Sequence, residues 1–203
     1  MVCRLTFVLL AAAISSPTSG LAQEAAQQVL PEEYRRAIVT VSGKQADGTG
    51  FFATIQGKTF VVTNLHVLED NLPCVIETLD GGTVVWDEIF GAIAHDLAII
   101  SVSETFAVPA ALRVSENVVA DCELGTQLLI VGNSKGRGAL LESVGEVVGL
   151  GPRVVEHTCA TFGGNSGSPM IETRNWTVLG LHTLAIRGDY SNWAEKDAFI
   201  KRS

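Results

Sequence analysis

The feature that most constrains this chain is a succession of short runs rich in Val, Ile, Thr and Phe, each cut by turn-forming residues. In the first half the runs are Ala37–Ser42, Gly50–Ile55, Thr59–Asn64, Cys74–Leu79, Thr83–Asp87, Ile89–Ile93 and Asp96–Val102. In the second they are Gln127–Val131, Leu140–Leu150, Val154–Cys159, Ser168–Ile171 and Trp176–Ala185. Gly48, Gly57 and the Gly81–Gly82 pair punctuate the first series. β-Branched and aromatic side chains suit a pleated backbone, and runs this short between turn formers read as strands. Many closely spaced strands with no alternating helices predict an all-β fold with antiparallel pairing, either barrel or sandwich.

Between the two series, Glu104 to Val119 contains Pro109 and no clean periodicity, so it reads as a connector. The predicted organisation is a leader over residues 1–22, a first β half over 23–103, a connector over 104–119 and a second β half over 120–203. One good helix candidate remains, at the C-terminus. Asn192 stands where a cap would, Glu195 lies three residues on, and Trp193, Phe199 and Ile200 share one stripe.

The leader assignment rests on Arg4, the apolar run Leu5–Ile14 and a polar stretch ending in Gly20 and Ala22. Small residues at those two positions predict cleavage before Gln23. The apolar run is far short of the ~20 residues that span a bilayer. The chain is therefore expected to be exported, to the periplasm or the exterior, with no membrane association after cleavage. Beyond residue 22 the chain is long enough for one sizeable core or two small packed ones. A net charge of −8 argues against nucleic acid as a partner.

Cys74, Cys122 and Cys159 lie beyond the leader, an odd number without CxxC spacing. They fit either one disulfide or buried small apolar groups. The histidines and cysteines lack metal-ligand spacing, so neither metal nor cofactor is implied. No oligomeric state can be read from the sequence.

The chemistry concentrates in Phe162-Gly163-Gly164-Asn165-Ser166-Gly167-Ser168-Pro169. Glycines packed around one serine cost conformational entropy unless the backbone needs unusual dihedrals or close approach. Acyl transfer supplies that need, because its tetrahedral intermediate carries an oxyanion best held by inward-turned backbone N–H groups. Gly164 and Ser166 would supply those amides, with the Ser166 hydroxyl as nucleophile. A serine hydroxyl needs an adjacent imidazole as base. His66, at the end of the apolar strand Phe60–Val67, is the candidate. The imidazole needs a carboxylate on its other nitrogen. Asp96, directly before Leu97-Ala98-Ile99-Ile100, is an acid beside an apolar run, whereas Asp80 next to Gly81–Gly82 reads as a turn residue.

Together these stretches resemble the trypsin-like, chymotrypsin-fold serine peptidases. Thr63-Asn64-Leu65-His66-Val67 resembles the family's histidine block, His95-Asp96-Leu97-Ala98 its aspartate block, and Gly164-Asn165-Ser166-Gly167-Ser168-Pro169 its GDSGGP block. The resemblance implies two perpendicular six-stranded antiparallel β-barrels, a triad of His66, Asp96 and Ser166 between them, and a polypeptide substrate. Asn165 stands where pancreatic-type members carry an aspartate, so activation through an ion pair at that position is not expected. Ala160 stands where trypsin-type members keep a pocket acid, which argues against Lys or Arg selectivity. Thr161 and His182, with Thr183 beside it, resemble the pocket of glutamyl endopeptidases and imply a Glu or Gln preference at the residue preceding the cut. The rival reading is a catalytically silent binding module on the same fold.

Overall fold

A computed structural model describes residues 29–69, 71–136, 138–185 and 192–195. The leader, and the residues after 195 in the expected C-terminal helix, lie outside them. Thirteen strands form one continuous sheet, and the order of pairing wraps it into two units. The first unit uses β1 (Ile38–Ser42), β2 (Asp47–Ile55), β3 (Lys58–Thr63), β4 (Val75–Thr78), β5 (Trp86–Gly91) and β6 (Ala98–Val102). They pair antiparallel in the order β4-β1-β2-β3-β6-β5. A bridge between Glu77 and Thr83 and the bond from Val84 N to Ile76 O join β4 to the segment leading into β5.

The second unit uses β8 (Gln127–Gly132), β9 (Leu141–Leu150), β10 (Val154–His157), β11 (Pro169–Glu172), β12 (Thr177–Ala185) and β13 (Asn192–Glu195). Its order is β11-β8-β9-β10-β13-β12, and β11 pairs with β12, so the ring closes. Between the units runs β7 (Leu112–Val114), which pairs parallel with both β2 and β12. That short strand stitches the two barrels into one sheet.

β2 and β3 are buried on both faces, with six consecutive buried residues in β2, and the first core extends to Leu129, Val131, Ile171 and Leu181 of the second unit. Phe51, Phe52, Val61, Val62, Ile76 and Ile100 are fully buried in the first core. Leu128, Val147, Val155, Met170 and Leu179 belong to the second. Burying one such side chain stabilises by roughly 1.5–3 kcal/mol. The cysteines act here as small packing groups: Cys74 in the first core, Cys122 and Cys159 in the second. Burial pushes the Cys159 thiol up to about 12, which keeps it neutral.

Four expectations are corrected by the structure. Asn192–Glu195 is a strand, β13, rather than a helix start. It pairs with β10 on one side and β12 on the other, and two ladders outweigh a local capping preference. The connector is not irregular throughout, since it contains β7 and leads into a helical turn (Val118–Asp121) capped by the Asn117 side chain. Thr83–Asp87 and Ile89–Ile93 do not form two strands. One strand, β5, spans both with a register shift between Trp86 and Ile89. Finally, β3 stops at Thr63, and His66 sits on a single helical turn (Leu65–Leu68).

Candidate active site

The turn that carries His66 is pinned from beneath. Val67 and Leu68 are buried, and Asn71 ties the turn to the β1–β2 loop. Its Nδ2 donates to the carbonyls of Val67 (2.8 Å) and Ala46 (3.1 Å), while its Oδ1 accepts from Gln45 and Ala46 amides. A short helix with this much side-chain anchoring holds its exposed residue in a fixed place.

Asp96 grips that residue twice. Its Oδ2 lies 2.5 Å from His66 Nδ1, and its Oδ1 accepts the His66 backbone amide at 2.9 Å. Burial on its own would raise the Asp96 carboxyl. The hydrogen bonds from the His66 ring and amide, the attraction of the ring and a bond from Leu65 outweigh it and hold the carboxyl below its usual range. An ionised Asp96 fixes the ring tautomer with hydrogen on Nδ1, leaving Nε2 to accept a proton. Asn64, fully buried just before the helical turn, adds a third support by donating from Nδ2 to the Asp96 carbonyl at 2.6 Å.

The loop between β10 and β11 carries Ser166. Ser166 O accepts from Thr49 N at 2.8 Å, and the Gly167 amide donates to His182 O at 3.0 Å. These bonds seat the loop on β2 and β12 at once. Gly48 explains how close it comes to the His66 helix. A Cβ there would fall 2.6 Å from Val67 Cγ1 and 3.2 Å from Ser166 O, so only a glycine fits between them. Gly164 is equally constrained, with φ +95° and a Cβ position 2.1 Å from Asn133 O. Among the described residues, the amides of Gly164 and Ser166 donate to no protein oxygen, as donors kept for a ligand would.

The expected pocket residues divide. His182 lies beside the Ser166 loop, its own amide bonded to Ser168 O at 2.9 Å, with its ring buried and Nδ1 without a partner. Its ring centroid is 5.4 Å from that of buried His157, edge to face. Burial first, then the neighbouring His157 and His66, push His182 down to about 3. Burial alone pushes His157 down to about 4. Both rings are therefore neutral at neutral pH. Thr161 is half-buried before the glycines. The Thr183 hydroxyl accepts from Asn64 at 3.0 Å and donates to Leu181 O, so it braces the His66–Asp96 side of the site.

Asn64, Thr49 and Ser134 support the site without having been assigned a role in it from sequence. Thr49 Oγ1 accepts from Asn133 N at 2.9 Å and donates to Gly164 O at 2.7 Å. Asn64 could have been found, since it lies inside the histidine block. Ser134 has no such local signal.

A family model described as a trypsin-like peptidase domain matches residues 48–181. The chain is 26% identical over 184 residues to a glutamyl endopeptidase of Staphylococcus epidermidis, covering 81% of this chain and 63% of that protein. It is 30% identical over 153 residues to a probable periplasmic serine endoprotease, DegP-like, of Bartonella henselae, covering 68% of this chain and 28% of the relative. Among solved structures, a serine endoprotease from Yersinia pestis superposes with a TM-score of 0.67 at 20% identity, over 82% of this chain and 60% of that one. At that identity the likeness speaks for the fold.

Proposed function

This chain belongs to the trypsin-like peptidase family, and from that premise we propose that it is an exported serine endopeptidase working through an acyl-enzyme. The observation that carries the reading is the double grip of Asp96 on His66, ring and backbone together. A carboxylate held this way prepares an imidazole for proton transfer.

His66 Nε2 takes the proton from Ser166 Oγ as the oxygen attacks the peptide carbonyl carbon. Asp96 stabilises the imidazolium that forms. The amides of Gly164 and Ser166 receive the oxyanion, where one donor of such a pair is typically worth ~10²–10³ in rate. The imidazolium then protonates the leaving amine, and the acyl-enzyme remains. Water enters and attacks the acyl carbon as His66 takes its proton, and the imidazolium then returns that proton to Ser166 Oγ as the ester bond breaks and the acid product leaves.

For the residue before the cut, the reading is Glu or Gln. A neutral imidazole beside the nucleophile loop, His182, can donate an N–H to a side chain ending in a carbonyl oxygen. Thr161 adds a hydroxyl. The likeness to a glutamyl endopeptidase supports the same preference. Export is supported by the leader pattern of residues 1–22 and by the periplasmic character of the DegP-like relative.

Mass-spectrometric mapping of cuts in a denatured protein, beside a Ser166→Ala control, tests both levels. Cuts after Glu and Gln that vanish in the control are the expected result. Cuts after Leu or Arg would remove the preference, and cuts that persist in the control would remove the mechanism.

A further inference from the structure

The nucleophile loop is held from one direction by a second loop, Asn133–Gly138, between β8 and β9. Lys135 N donates to Gly163 O at 2.6 Å. Thr49 Oγ1 relays between Asn133 N and Gly164 O. Asn133 in turn accepts the Gly138 amide on its side chain at 2.8 Å, which closes its own loop. The bonds to Gly163 and Gly164 reach the part of the nucleophile loop that precedes residue 165.

One contact reaches residue 165 itself. Ser134 Oγ donates to Asn165 Oδ1 at 2.6 Å, with both residues at most 5% exposed. Asn165 lies between the two amides that would hold the oxyanion. The peptide planes on either side of it set the direction of the Ser166 amide and the carbonyl of Gly164. A side chain anchored in the interior fixes Cβ, and through it both planes. The Gly132 backbone leaves the space for this, since a Cβ there would fall 3.2 Å from Asn165 Oδ1 and would collide with Ser168 Oγ.

We propose that Ser134 is a positioning residue for the oxyanion-binding loop, acting through Asn165. The inference rests on the peptidase reading above and goes beyond it by assigning what holds the loop in its working shape. The anchor is made of two neutral groups. A carboxylate at the same buried place would need a counter-charge, whereas an amide accepting one good hydroxyl bond does not. The working form of the loop therefore needs no ion pair.

The test compares wild type, Ser134→Ala and Ser134→Thr by hydrogen exchange of the peptide covering residues 163–167 and by steady-state kinetics on a peptide ester. Losing one buried hydrogen bond at an oxyanion loop predicts exchange and kcat each changed by about tenfold in Ser134→Ala, with KM within about twofold. Ser134→Thr keeps the hydroxyl and is expected to restore both. Unchanged exchange and kcat in Ser134→Ala would overturn the proposal. So would a general loss of thermal stability in that variant with KM and kcat impaired alike and no recovery in Ser134→Thr. A wild-type protein whose loop is protected by Ser134 yet hydrolyses nothing would instead fail the peptidase reading and leave the anchor standing.

Discussion

The side-chain amide of Asn64 donates to the hydroxyl of Thr183 at 3.0 Å, joining the segment before the His66 helix to strand β12, 119 residues away in sequence. The same nitrogen donates to the carbonyl of Asp96. One buried amide thus holds together the base, its carboxylate and the strand beside the nucleophile loop.

Replacing Asn64 by Ala removes both of these part-buried hydrogen bonds. That costs about 1–3 kcal/mol. Urea unfolding is expected to show a loss of that size, together with a fall in kcat larger than any rise in KM. An Asn64→Ala protein with wild-type kcat would show that the bridge is only structural.

Asp96→Asn keeps the shape but puts an NH₂ group or a neutral oxygen against the ring, which favours the wrong tautomer. A fall in kcat of about 10⁴ is expected at neutral pH, with KM little changed. The carboxyl of Asp96 is also a stability device. Its folded value lies below the unfolded one, so its contribution is present above about pH 4 and is lost as the pH falls through the folded value.

His157 and His182 act in a different pH window. Their folded values, about 4 and about 3, lie below the ordinary 6.5. The unfolded chain therefore binds protons that the fold refuses, and stability is full above pH 6.5 and declines below it. For His157 the loss by pH 4 is about 3 kcal/mol. Thermal melts between pH 7 and 4 are expected to be flatter in His157→Leu than in wild type. Parallel curves for the two proteins would contradict the account.

Gly164→Ala places a Cβ against Asn133 O in a left-handed backbone. The amide of residue 164 must then turn or shift. A fall in kcat of ~10²–10³ is expected, measured on a peptide ester, with substrate binding largely kept. Wild-type turnover in this variant would mean that the Gly164 amide holds no oxyanion.

The strands were legible where β-branched runs met glycine punctuation, as in Phe60–Thr63 and Leu128–Val131. Leu112–Val114 was not, because three residues between two parallel neighbours carry no period of their own. Asn192–Glu195 misled because Asn and Glu at that spacing make the same local pattern as a helix start, while the ladders that decide its shape come from β10 and β12. The proposed triad of His66, Asp96 and Ser166 is legible in the sequence because each residue stands in a motif with a chemical reason, and the structure joins the first two. The Ser134 hydroxyl could not, since its partner Asn165 is 31 residues away and a loop serine has no local signature. Thr183, expected at the pocket, bonds instead to Asn64 from the point where the register of β12 against β13 shifts, an irregularity with no local sequence signal.

The most direct measurement of the central claim is intact-protein and peptide mass spectrometry after treatment with a fluorophosphonate, which reacts only with a serine made nucleophilic by its surroundings. A single adduct on Ser166 is expected, absent from the denatured protein and absent from His66→Ala. No adduct on the folded wild-type protein, or an adduct on Ser166 undiminished in His66→Ala, would contradict the account.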